Sequence, residues 1–151
     1  MIEITLRAGS LEATETDALV VLAPSGAQSA DSFGAGAIDA ILGGLIGRLL
    51  NAGDFTGKAE QVAVLYPPES AAFKRVVLVG TGNGYVPLAE RVRRAAAVAG
   101  KCAQDVGAKH VAICGLPDPV EATTTAVAEG LIAWPVHVRQ HEVEGGGSEQ
   151  D

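Results

Sequence analysis

The hexapeptide ALVVLA, Ala18 to Ala23, is apolar at every position. A strand with one wet face alternates apolar and polar residues, so an uninterrupted run fits a strand covered on both faces. VVLVGTGNGY, Val76 to Tyr85, begins in the same way before it reaches three spaced glycines. Two such strands need layers above and below them. The pattern around them supplies candidates: Ile38, Ile41, Leu42, Leu45, Ile46, Leu49 and Leu50 recur at helical spacing, which predicts a helix from about Gly36 to about Ala52 with Gly53 as its stop. Ile2, Ile4 and Leu6 alternate as a half-buried strand, Val62 to Tyr66 and Val76 to Val79 read as further strands, and Leu88 to Val106 reads as an Ala-rich helix. His110 to Ile113 is then a strand and Val120 to Ile132 a helix. Strands alternating with helices specify an α/β layered domain with parallel pairing and helices on both faces of the sheet.

The pattern fails after Trp134-Pro135, and EVEGGGSEQD is acidic and Gly-rich. The expected division is a folded unit over residues 1–138 and a flexible tail over 139–151. Composition narrows the partners. With 4% aromatic residues and 19 glycines the core must be closely packed Val, Ala, Leu and Ile, and a formal net charge of −7 repels a phosphate backbone. No nucleic-acid partner is expected. The segment after Met1 has neither the basic nor the apolar part of a signal peptide, and no run approaches a membrane span, so a cytoplasmic protein without membrane contact is expected. Cys102 and Cys114 read as two inert core thiols.

Several runs taken together resemble a known family: DALVVL from Asp17, AIDAILGGLIGRLLNAGDFTGKAEQ from Ala37 to Gln61, KRVVLVGTG from Lys74, ERVRRAAAVAG from Glu90 and AEGLI from Ala128 to Ile132. In that order they are similar to the N-terminal domain of the leucyl aminopeptidase (cytosol aminopeptidase) family. The resemblance implies a macro-domain-like, three-layer α/β/α fold with a mostly parallel, mixed central sheet. It also implies that catalysis belongs to a separate C-terminal domain, where two divalent metals are held by Asp, Glu and Lys in signatures resembling FDTGG and NTDAEGRL. Neither signature occurs in this sequence. The expectation is therefore a non-catalytic domain with no metal or cofactor of its own, not an enzyme by itself, associated with a metallo-aminopeptidase through assembly, docking or regulation. A homo-oligomer or a partner protein follows from the same resemblance.

The kinship with macro domains raises an alternative, a binder of ADP-ribose or a related nucleotide. Those domains generally place an Asp after the first strand, where this chain has Ser10. They carry an Asn-rich segment where it reads LAPSGAQ, and a double-glycine loop where it reads ICGLPDP. FGAGAID, Phe33 to Asp39, keeps the character of a phosphate loop, small residues opening a helix N-terminus. Gly34, Gly36 and Ala37 are its candidate ligand-binding positions, with Gly80 and Gly82 of the GTG run beside them. A dinucleotide fingerprint needs glycine at its sixth position, where this chain has Tyr85, so GTG reads better as a turn whose glycines permit positive φ.

GDFTGKA, Gly53 to Ala59, is not a P-loop: three residues separate its glycines, and Ala59 stands where a magnesium-binding Ser or Thr is needed. It reads as a helix C-cap and surface loop. His137 and His141, with Glu142 and Glu144, have the spacing of a metal pair only on a helix, which Pro135 and the Val/polar alternation oppose. His110 reads as packing at a strand start, and Glu90, Arg91, Arg93 and Arg94 as a solvated helix face. Leu131, Ile132 and Trp134 are the candidate interaction patch, an apolar surface where the family's chain would continue into its catalytic domain.

Overall fold

The computed structural model describes residues 2–7, 15–84, 86–114, 120–131 and 136–141. In chain order it contains β1 (Ile2–Arg7), β2 (Ala18–Pro24), α1 (Gly36–Ile41), α2 (Leu45–Ala52), β3 (Val62–Leu65), β4 (Val76–Gly82), α3 (Leu88–Asp105), β5 (His110–Cys114), α4 (Val120–Leu131) and β6 (Val136–His141). A single 3₁₀ turn, Ala30–Phe33, precedes α1. The strands form one six-stranded sheet in the order β3-β4-β2-β5-β1-β6. All neighbours are parallel except β3, which runs antiparallel to β4. This is the mixed, mostly parallel α/β/α arrangement expected.

β2 lies at the centre because its sequence tolerates no water: Ala18 to Ala23 are all buried. Its odd and even positions feed different cores. Ala18, Val20 and Leu22 join Val77, Val79, Val111 and Ile113 under α3 and α4, while Leu19, Val21 and Ala23 join Val76, Leu78, Ile38, Ile46, Phe55 and Phe73 on the other face. Each fully buried Val, Leu or Ile stabilises the fold by roughly 1.5–3 kcal/mol. The α3 layer is thin by design of its side chains: Ala95, Ala96, Ala99 and Ala103 are buried. Gly130 of α4 sits where an added Cβ would lie 2.2 Å from the Arg93 carbonyl oxygen, so the two helices meet backbone to backbone without a spacer.

The single helix expected over Gly36 to Ala52 is two helices. Gly43 and Gly44 adopt φ of 73° and 82°, left-handed values that end α1 and start a new axis. β4 runs on through GTG to Gly82 rather than turning after Val79. β6 is a strand that the pattern did not announce: its six residues pair with β1 from Ile2–Val136 to Arg7–His141. Parallel addition to a strand at the far end of the chain leaves no local signal beyond Val/polar alternation. The strand passes three residues beyond the boundary expected at Val138, and residues 142–151 lie outside those described.

Candidate functional site

Ligands of open parallel sheets lie beyond the carboxyl ends of the strands. Here that rim is built from the turn after β2, the loop into α1, the carboxyl end of β4 and the segment Gly53–Gln61. GDFTGKA begins as the expected C-cap, with Gly53 at φ 79° closing α2. It continues as the expected surface loop, exposed at Asp54, Thr56, Lys58 and Ala59, but is pinned at two buried positions, Phe55 and Gly57. Phe55 is 1% exposed and anchors the segment in the core, and the chain then crosses the sheet rim as a strap.

The strap is held by backbone. Gly82 N–H donates to the Gly57 carbonyl at 2.9 Å, Gly80 N–H to that of Gln61 at 2.8 Å, and Glu60 N–H to that of Gly80 at 3.0 Å. The Ser25 hydroxyl donates to the Gly57 carbonyl at 3.1 Å, and Gly26 N–H to the Thr56 carbonyl at 3.3 Å. Gln61 organises it from within: its Oε1 accepts from Thr56 N–H at 2.9 Å and Gly57 N–H at 3.1 Å. The glycines are explained by contact. A Cβ on Gly80 would lie 2.1 Å from the Lys58 carbonyl oxygen, one on Gly57 would lie 2.2 Å from that of Pro24, and one on Gly82 would touch Ala59 at 3.0 Å. Only Gly82 of the GTG pair has positive φ, 73°, so Gly80 is required for close approach and not for a turn.

The loop into α1 carries the other candidates. Gly34 caps the 3₁₀ turn at φ 79°. Over Gly36 lies Asp31, whose Oδ1 would be 1.7 Å from a Cβ on that glycine. A carboxylate at that point opposes an anion approaching the α1 amides. Ala37 lies in the first turn of α1. Asp39, in the same helix, turns to α2 instead: its Oδ1 accepts from Ile46 N–H at 2.7 Å and its Oδ2 from Gly47 N–H at 3.3 Å. It therefore caps the second helix from within the first. The segments containing Ser10 and Gly115 to Pro119 lie outside the described residues.

At the opposite, amino end of the strands, Glu15, Thr16, Asp17, Ser70, Lys74 and His110 surround an open cleft of about 660 Å³. Asp17 ties three strands there. Its Oδ2 accepts from Lys109 N–H at 2.8 Å and His110 N–H at 3.1 Å, its Oδ1 lies 3.6 Å from Lys74 Nζ, and His110 Nδ1 is 3.9 Å from Oδ2. Partial burial works to raise the Asp17 carboxyl, but the two amide donors, Lys74 and His110 outweigh it, and the group titrates below its ordinary value.

The remaining sequence candidates fall as follows. Leu131 is fully buried against the α3 side of the core, so it cannot belong to a surface patch; Ile132 and Trp134 lie outside the described residues. Cys102 is a half-buried free thiol whose pKa is pushed up by burial and by Asp105. Glu90 pairs with Arg93 and Arg94 on a solvated face, and those bonds hold its carboxyl below the usual range. Arg91 departs from that face and donates to the carbonyls of Val86 and Gly82, each at 3.0 Å, bracing the loop after β4. His137 and His141 share the extended β6, where backbone positions four apart are separated by about 13 Å, so they do not have the one-turn spacing of a helical metal pair. Among the described residues no three His, Cys, Asp or Glu side chains are grouped to hold a metal, and no helix is long and apolar enough to cross a membrane.

Asp39, Asp17, Gln61 and Asp31 were not singled out by sequence reasoning. Asp39 had one usable signal, an acid standing ahead of a Gly43-Gly44 break and a second apolar helix.

Comparison with known proteins agrees with the fold. The family model described as the N-terminal domain of the cytosol aminopeptidase family matches residues 18–133. A probable cytosol aminopeptidase of Roseiflexus castenholzii is 31% identical over 83 residues, 55% of this chain and 17% of that protein. The chain spans about a sixth of the length of the curated relatives it matches. A tomato leucine aminopeptidase mutant superposes with a TM-score of 0.70 at 20% identity, over 96% of this chain and 33% of that one. The macrodomain of Mycobacterium tuberculosis DarG superposes with a TM-score of 0.65 at 16% identity, over 93% of this chain and 98% of that one.

Proposed function

The chain belongs to the cytosol aminopeptidase family through its N-terminal domain, and from that premise we propose that this domain is non-catalytic and serves assembly, docking or regulation of a metallo-aminopeptidase. The family's two catalytic metals reside in its C-terminal domain, and the signatures that hold them do not occur in this sequence. The observation that carries the reading is the strap. Backbone of Gly57 to Ala59 fills the space over Gly80 and Gly82, so the most glycine-rich part of the rim supports the protein's own chain. Asp31 over Gly36 adds a negative charge beside the phosphate-like loop. Both features favour a scaffold over a nucleotide binder. The domain works in the cytoplasm as part of a homo-oligomer or bound to a partner protein.

The purified chain is expected to show no turnover of leucyl substrates with manganese, zinc or cobalt present. Turnover that copurifies with it and disappears on a core substitution such as Ile46→Asp overturns the reading. Calorimetry with ADP-ribose is expected to show weak binding or none. Micromolar affinity lost in Gly36→Val would instead favour the macro-type binder, with Gly34, Gly36 and Ala37 as its phosphate loop.

A further inference from the structure

Val62 and Tyr66, 37% and 65% exposed, are the exposed large apolar side chains among the described residues. They stand four apart, one opening β3 and the other immediately after it. Among the described residues β3 is the outermost strand on its side of the sheet and pairs only with β4. The bond from Gly80 N–H to the Gln61 carbonyl sets the alternation of that antiparallel pair: Gln61, Ala63 and Leu65 bond inward, and the amides and carbonyls of Val62 and Val64 point to the free edge. Ala63 and Leu65 pack into the core, so Val62, Val64 and Tyr66 share the other face. β3 therefore offers unpaired backbone groups and an apolar ribbon along one edge.

We propose that this edge is a homotypic docking surface, on which a second copy of this chain adds its own β3 antiparallel about a two-fold axis through Val64. The occupant follows from self-complementarity. With Val64 opposite Val64 of the second copy, Val62 falls opposite its Tyr66, and the same rotation covers both exposed side chains in each copy. Aromatic and β-branched residues directly opposite each other are favourable cross-strand pairs, and an interface repeated by a two-fold is closed. The charges permit this register: Glu60 meets Pro68 and Glu69 meets Ala59, so no like charges face each other. Pro68 lacks an N–H and ends the ladder, which fixes the pairing to the 62–66 segment. Each copy carries a formal net charge of −7, so association strengthens as salt screens the repulsion.

The proposal rests on the docking role given above and assigns its surface. Sedimentation of the full chain at micromolar concentration, at low and high salt, tests it, with amide hydrogen exchange of Val62 and Val64 read at the same concentrations. A dimer is expected whose Val62 and Val64 amides become protected as it forms. Val64→Lys, which sets two ammonium groups opposite each other, and Tyr66→Arg at an exposed site should each weaken it at least about tenfold, whereas Val64→Thr should stay within about threefold. A dimer indifferent to Val64→Lys and Tyr66→Arg, both folded by circular dichroism, overturns the β3 surface alone. A chain monomeric at every salt overturns the surface and self-association together, leaving docking on another protein as the form of the function that survives.

Discussion

At the scale of single residues, two groups carry more than their exposure suggests. Gly80 has no room for a methyl group, because its nearest neighbours are the Lys58 carbonyl oxygen at 2.1 Å and the Gly57 carbonyl carbon at 2.6 Å from the position a Cβ would take. Both are backbone atoms and cannot rotate away. Gly80→Ala should therefore cost about 3 kcal/mol or more, and Gly43→Ala, with open space but φ of 73°, about 1–2 kcal/mol; urea denaturation of the two variants checks the order. Asp17 offers a pH test. Its folded carboxyl titrates below the ordinary aspartate value of 3.8, so its contribution is complete above the unfolded value and is lost as pH falls through the lower folded one. Asp17→Asn should destabilise by about 1–2 kcal/mol at neutral pH, with the difference from the parent shrinking below about pH 4. An equal loss at pH 7 and pH 3 would contradict that assignment.

At the scale of elements, the α1–α2 layer depends on one carboxylate. Two consecutive glycines in left-handed conformation break the helix, and α2 would then begin with unsatisfied amides if Asp39 did not reach Ile46 and Gly47. Asp39→Ala should cost about 0.5–2 kcal/mol, and Asp39→Asn a smaller part of that because it keeps an acceptor. Thermal melts of the two variants decide whether capping or the charge matters more. The strap is an element of the same kind. It has no regular structure, yet Gln61, Ser25 and Phe55 hold it, and Glu60 accepts φ of 67° to make its bond with Gly80. Glu60→Gly should be tolerated for that reason.

At the scale of the molecule, the two cores share β2 and are separated by it. Leu131 and Ile46, both fully buried, belong to opposite faces. Leu131→Ala and Ile46→Ala should each cost about 2–5 kcal/mol, and their double variant should show the sum within about 0.5 kcal/mol. A single cooperative transition is expected in all three, because β2 cannot lose one face and keep the other. Two resolved transitions in chemical denaturation would show that the layers unfold independently.

What the sequence determined by itself was the material of the layers. Ala18 to Ala23 had to be covered on both faces, and the Ala-rich run from Leu88 had to be a helix close to its sheet, because burial and periodicity are written locally. The family resemblance lay in those same runs and in the loop that joins them. The tertiary structure alone decided the partners. β6 joined β1 across the length of the chain, and Gly80 became a point of contact for Lys58 rather than a turn. Among the described residues the edge of β3 was left open because no later strand reached it. Such outcomes depend on which distant backbone arrives at a given amide, and neither residue type nor spacing records that arrival.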